Sequence, residues 1–458
     1  MRRMDQFPGP SPADLVMLRA EQRARHPDAN MTVGAVLHLS GPPPDLAGLR
    51  EHVTARLDTL PCLTHRVAGE GPTARWEAAT PEMTWHVRSG QVGGGQEVLR
   101  EVVGRLVREA WPEDAPAWRI VLLHGHVPDG FALLYLTHHA VQNGANTATV
   151  LETLFGPQPP GQEHSLLARG VPSAARPRAR QVAHSAAVLL RGAGRHRLWQ
   201  SAAHPLSSRR HLLWVHVPSG SLRAAARAGA ASANDVYLTA LAHAVAHWAR
   251  EFWPRAARPT LPVLVPVNLR TPDEVAVPGN RVYPVRIDLP GSPMTVGERL
   301  ARTRGLTRGL KAAGHKTVLR AAITRLPRRL LQRLVDVSTA PGRLTVCASN
   351  LVMRQRLDYG DAAVQRIDPI ICCPPGVPLA VVAMTYGDTT SVCFRIDTAL
   401  PGADTLPDRW RQAVADLTAR ATRTADRDPP PAGQGRSVVR SLVIRLARRS
   451  TAATARRS

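Results

Sequence analysis

Along the first 155 residues the spacing of apolar positions switches repeatedly between a helical and an extended period. Residues 12–21 read as a short helix and Val33–Leu39 as a strand. Leu46, Leu49, Val53 and Leu57 recur at helical spacing, which predicts a helix over Leu46–Leu57. Gln96–Glu109 predicts another, with Val98, Val102 and Leu106 on its apolar face. Arg119–His124 and Phe131–Leu136 are apolar strands separated by the turn His126–Gly130, and Ala145–Phe155 reads as a helix. The pattern then breaks. Four prolines fall within Pro157–Pro172, and arginine, alanine and serine follow, so residues 156–211 read as a crossover holding one modest helix. Beyond it, strands are expected at Leu212–Val217, Leu261–Val267, Arg281–Ile287, Leu344–Ala348, Leu379–Tyr386 and Thr390–Ile396. Ser232–Arg250 carries Val236, Ala240, Ala244 and Trp248 at spacings of four, a strong helix.

A chain of 458 residues is long for one core and comfortable for two. The N-terminal arginines are followed by polar residues and proline, so no signal peptide is expected. No apolar run approaches the ~18 residues of a spanning helix, and the expectation is a cytoplasmic protein able to meet a membrane surface. Cys62, Cys347, Cys372, Cys373 and Cys393 form no CxxC pair and no zinc-type spacing, so they read as buried reduced thiols with no metal.

Charge divides the chain. Of its 59 basic residues two are lysines, Lys311 and Lys316, and the formal net charge is +24. Residues 1–160 hold 14 basic and 17 acidic groups, a net of −3, so the rest carries +27. The excess gathers in residues 161–211, 299–334 and 436–458. Such clusters fit an anionic partner, such as a nucleotide phosphate or a lipid head group, or else solvated linker and tail. Nucleic acid is not expected, because aromatic residues make up 4% of the chain and leave few stacking platforms. Within 299–334, Ile323, Leu326, Leu330, Leu331 and Leu334, with Pro327 where a helix can start, predict an amphipathic helix. The tail around Val438–Leu446 has the same character and could lie on an anionic bilayer or lipid body.

The sharpest chemical feature is Tyr135-Leu136-Thr137-His138-His139-Ala140-Val141-Gln142-Asn143-Gly144. A strand runs into two histidines, and a glycine turn leads to a helix. An imidazole at a strand end sits on a rigid element and can serve as a general base at neutral pH. The dipeptide alone is equally compatible with a structural role. There is no P-loop, no dinucleotide glycine motif, no Gly-x-Ser-x-Gly elbow and no His-Glu-x-x-His.

The same segment resembles the His-His-x-x-x-Asp-Gly motif of the chloramphenicol acetyltransferase-like superfamily, and the chain as a whole resembles its bacterial wax ester synthase/diacylglycerol acyltransferase family. Pro12-Ala13-Asp14, Met31–Ala35, Leu60–Arg66, Pro116-Ala117-Trp118, Asn234-Asp235-Val236, Pro266–Arg270, Gly279-Asn280 and Ser349-Asn350 resemble successive blocks of that family in order. Asn143 stands where the family has aspartate, and Ser349-Asn350 continues as Leu351-Val352-Met353-Arg354 where the family has Val-Pro-Gly-Pro.

The resemblance implies an α/β fold of two similar domains, each a mixed sheet with helices. The expected boundaries are 1–160, a basic crossover at 161–211, a second domain at 212–428 and a basic tail at 429–458. It implies direct transfer of a fatty acyl group from acyl-CoA, as substrate and without a bound cofactor, to a long-chain alcohol or diacylglycerol. His139 would be the base and His138 would orient the loop. Asn143, Gly144 and Arg270 would hold the motif, Arg270 as the partner of Asn143. Asn234, Asp235, Ser349 and Asn350 would lie near the reacting carbonyl, although Ser232 to Asp235 would cap a helix equally well. Two alternatives stay open: an acyltransferase or condensation-type enzyme of specialised metabolism with a carrier-bound donor, and a degenerate lipid- or acyl-binding relative.

Overall fold

The computed structural model describes Phe7, residues 9–24, 26–157, 176–191, 194–270, Glu274, 277–312, 314–343, 346–374 and 376–427. The proline-rich start of the crossover and the basic tail lie outside these residues.

The first half supplies α1 (Pro12–Gln22), β1 (Thr32–Ser40), α2 (Leu46–Thr54), the paired short strands β2 (His65–Ala68) and β3 (Arg75–Ala78), α3 (Met83–His86), β4 (Val87–Gln91), α4 (Gln96–Val107), β5 (Trp118–His124), β6 (Gly130–His138) and α5 (Gly144–Phe155). After α6 (Ala179–Arg191) come β7 (Arg210–Pro218), α7 (Ser219–Ala228), α8 (Ala233–Phe252), β8 (Thr260–Asn268), β9 (Val282–Pro290), α9 (Val296–Ala312), α10 (His315–Arg325) and α11 (Arg328–Ser338). The described residues close with β10 (Val346–Met353), β11 (Asp358–Tyr359), β12 (Ala362–Ile370), β13 (Leu379–Tyr386), β14 (Thr389–Asp397) and α12 (Leu406–Arg427).

These strands form two mixed sheets of six, ordered β11-β12-β1-β6-β5-β4 and β7-β14-β13-β10-β8-β9. β1 and β6 are the central pair of the first sheet, antiparallel from Thr32↔His138 to Ser40↔Gly130. Every residue of β6 is buried, which is why that segment reads as a continuous apolar run and shows no alternation. β11 and β12 come from the second half of the chain yet complete the first sheet, where β12 pairs with β1. The two sheets are pinned at this point. Trp214 Nε1 donates to the Pro369 carbonyl at 2.8 Å, and Asp368 accepts from His38 and His216, each at 2.8 Å.

One local expectation is corrected and another is met. The buried face of α4 is Leu99, Val103 and Val107, one position on from Val98, Val102 and Leu106, and Val98 is exposed. Adjacent apolar stripes on one helix cannot be ranked by spacing alone. Within the basic stretch 299–334 the amphipathic helix expected to start at Pro327 is present as α11, while Ile323 falls on α10, and left-handed Gly314 separates α10 from α9.

Candidate active site

His138 ends β6, and His139 follows on the tight turn that leads into α5. The turn is fastened on all sides. His139 N donates to the Met31 carbonyl at 2.8 Å, and His139 O accepts from Asn280 Nδ2 at 2.6 Å. The same Asn280 gives its N–H and its amide to Asp14 Oδ1, each at 2.7 Å, while Asp14 Oδ2 accepts from Ser11 N at 2.6 Å in the capping box of α1. Asp14 is fully buried, so all of these donors are needed to satisfy its carboxylate. Gly279 N donates to the Val141 carbonyl at 2.7 Å. Gly279 has φ +85°, and a Cβ there would lie 2.6 Å from Asp14 Oδ2 and 2.8 Å from the Trp76 ring, so glycine is required.

Neither nitrogen of His138 is left for a ligand. Nδ1 accepts from Ala140 N at 3.0 Å, and Nε2 meets the Glu21 carboxylate at the end of α1. Burial pushes the Glu21 carboxyl up, but the hydrogen bond and charge of His138 outweigh it and hold the group below the usual range. Sequence reasoning missed Glu21 altogether, because nothing local marks a carboxylate 117 positions away as a partner. Asp14 and Asn280 are visible only as members of short blocks.

His139, by contrast, lines a cavity of about 480 Å³ between the two sheets. Burial lowers its pKa to about 4, and His138 pushes in the same direction. The ring is therefore neutral, with a free lone pair, throughout the neutral range. The walls are mainly apolar: Val16 and Met17 of α1, Val33 of β1, Leu264 and Val265 of β8, Val335 of α11 and Met384 of β13. Asn143, Gly144, Asn234, Ser349 and Asn350 line the same cavity, and Asn350 Nδ2 donates to Asn234 Oδ1 at 3.2 Å. Those residues come from the motif turn, α5, α8 and β10, and the fold gathers them around one imidazole.

Three expected roles come out differently. Asp235 is not part of the cavity lining. It takes Ser232 N at 2.8 Å and Thr307 Oγ1 at 2.6 Å, so it caps α8 and ties α9 to it. Arg270 does not pair with Asn143. Its guanidinium donates to the carbonyls of Glu274, Val277 (3.0 Å) and Gly279, and so braces the loop that carries Gly279 and Asn280. Asn143 Oδ1 instead accepts from Ala145 N at 3.0 Å and Asn146 N at 3.1 Å, the N-cap of α5. Trp118 is core: it is fully buried, with Nε1 donating to the Leu63 carbonyl at 2.8 Å. Among the described residues no His/Cys/Asp/Glu cluster could hold a metal ion.

Residues 11–198 match the family profile described as the wax ester synthase/diacylglycerol acyltransferase catalytic domain. A Mycobacterium tuberculosis protein provisionally named a diacylglycerol O-acyltransferase is 26% identical over 246 residues, half of this chain. The chain spans about half the length of that curated relative, 52%. The wax ester synthase/diacylglycerol acyltransferase of Marinobacter aquaeolei VT8 superposes with a TM-score of 0.61, covering 91% of this chain and all of that one at 18% identity. Over residues 11–198 this chain is similar to the wax ester synthase/diacylglycerol acyltransferase catalytic domain. The fold is shared more widely. The starter condensation domain of rhizomide synthetase, solved in complex with C8-CoA, superposes at 0.65 with 14% identity over 92% of this chain and 95% of that one. The first condensation domain of the calcium-dependent antibiotic synthetase superposes at 0.62 with 17% identity over 92% of this chain and 97% of that one.

The departure after Asn350 from the pattern of the family the chain resembles has a structural counterpart. Leu351–Met353 continue β10 in parallel register with Met384–Tyr386 of β13, a ladder that proline would interrupt. Leu351 also packs on Gly144, where a Cβ would come within 2.7 Å of Leu351 Cδ1.

Proposed function

We propose that this protein is an O-acyltransferase that moves a fatty acyl group from a coenzyme A thioester to a long-chain alcohol or diacylglycerol. The observation that carries the reading is the neutral imidazole of His139 in the wall of an apolar cavity between the two sheets. Such a cavity suits an acyl chain, and one of the few polar groups on its wall is a base. In the proposed reaction His139 takes the proton from the acceptor hydroxyl as its oxygen attacks the thioester carbonyl. The tetrahedral intermediate then collapses to an ester and the free thiol, which leaves with the proton. Asn234, Ser349 and Asn350 line the same space and are proposed as side-chain donors to a developing oxyanion. His138, locked between Ala140 N and Glu21, is a positioning residue.

The partners implied are acyl-CoA, an apolar acceptor and an anionic membrane or lipid-body surface met by the basic tail. Among the described residues no helix is long and apolar enough to cross a membrane. Free thiol release on mixing the protein with acyl-CoA and a panel of long-chain alcohols and diacylglycerols tests the reading. Ester product with release of the thiol is the expected result. Turnover only with carrier-bound acyl groups would replace the donor with that of a condensation-type enzyme. Acyl-CoA binding without turnover of any acceptor would replace the enzyme with an acyl-binding protein.

A further inference from the structure

The described residues leave eight large hydrophobic side chains exposed: Val98, Val182, Leu190, Leu306, Leu330, Leu334, Val337 and Val352. Three of the eight, Leu330 (44% exposed), Leu334 (36%) and Val337 (46%), stand on α11 at positions i, i+4 and i+7, so they form one stripe. Arg329 and Arg333 are exposed beside the stripe. Asp336, the one acid of this helix, is taken by Arg19 of α1 at 3.1 Å. The opposite face of α11 is structural. Leu331 and Val335 are buried, and Val335 together with Thr339 lines the cavity that holds His139. α11 is therefore apolar on both sides, one side turned to the cavity and the other to solvent.

Its neighbours share this character. α6, α10 and α11 contribute Val188, Leu189, Leu319, Ile323 and Val335 to one apolar cluster over β8 and β9. α6 docks on α10 through Ser185 Oγ and His315 Nδ1 at 2.8 Å, and it exposes Val182 and Leu190. Residues 299–334, which run from α9 into α11, hold eleven Lys/Arg and no acid. An apolar stripe flanked by arginines is what an interfacial helix presents to an anionic bilayer: the leucines enter the acyl boundary and the guanidinium groups meet the phosphates. A second copy of this chain would bring arginines against arginines, and a nucleic acid would leave the leucines in water.

We propose that the outer face of α11 is a docking surface for an anionic lipid bilayer, independent of the basic tail. Docked there, the cavity lies one helix diameter from the lipid, roughly 10 Å. An apolar acceptor or product would then have little water to cross. The proposal does not depend on the acyltransferase reading, because its readout is binding and not turnover.

The test is sedimentation of the full chain with phosphatidylcholine vesicles and with phosphatidylglycerol-containing vesicles. The variants are a triple Leu330→Ser, Leu334→Ser, Val337→Ser and a double Arg329→Gln, Arg333→Gln. Wild type should partition onto the anionic vesicles. The triple variant should lose about tenfold or more of that partition. The double variant should lose about fivefold per arginine, and added salt should reproduce its loss. Because these side chains are exposed, both variants should melt with wild type, and the arginine pair provides an independent reading if the triple variant does not. Absence of binding by wild type, or partition by both variants equal to wild type, overturns the proposal.

Discussion

Asn143 gives its Oδ1 to two backbone N–H groups at the start of α5 and leaves its Nδ2 buried without a partner. The motif's carboxylate position is thus filled by an acceptor doing a helix cap's work. The sequence shows the substitution plainly, but not which bond it serves, because the expected partner Arg270 turns out to brace the neighbouring loop. Asn143→Asp should keep both cap bonds, strengthen them with charge at a helix N-terminus, and remove the orphaned donor. Stability should be equal to wild type or higher by up to about 1 kcal/mol, with equal or higher turnover. A fall in melting temperature at neutral pH would show that desolvating the new carboxylate outweighs the cap.

At the scale of elements, the strand-histidine-turn-helix unit was legible because it is local. β6, the motif and α5 follow one another within residues 130–155, with matching periods. The loop that clamps the unit was not legible, because Gly279 and Asn280 reach it from more than 130 positions away. Nor was the passage of β12 into the first sheet, since a strand's own pattern does not say which edge it joins. The clamp can be tested by crowding it. Gly279→Ala must place a Cβ against Asp14 and Trp76 in a left-handed conformation, which should cost about 2–4 kcal/mol and lower turnover through displacement of Asn280 and His139. Unchanged stability and turnover would mean that the loop is not what holds His139.

Over the whole molecule, burial of neutral imidazoles sets the response to acid. His86, His139 and His243 are each held at about 4, in every case chiefly by burial. Above the unfolded value of 6.5 both states are neutral and these groups do not favour either. As pH falls from 6.5 toward about 4, the unfolded chain takes up protons that the folded one refuses, so stability declines across that window. Asp368, held well below the usual carboxylate range against the opposing effect of its burial by His216 and His38, adds a further loss below its ordinary value of 3.8. Melting temperature followed from pH 7 downward should therefore fall before carboxylates begin to titrate. A flat profile to pH 4 would contradict the burial assigned to these rings. Turnover limited by His139 should stay level across the same window for as long as the fold persists.

The central claim is that His139 is the base in an acyl transfer. Its most direct measurement is thiol release by His139→Ala, beside wild type, with acyl-CoA and the best acceptor found. The ring lines the cavity and its backbone bonds to Met31 and Asn280 do not need it, so the variant should fold with an unchanged melting temperature. Its turnover should drop about 10²–10⁴-fold, the usual contribution of a general base. A folded His139→Ala protein that releases thiol at the wild-type rate would contradict the account.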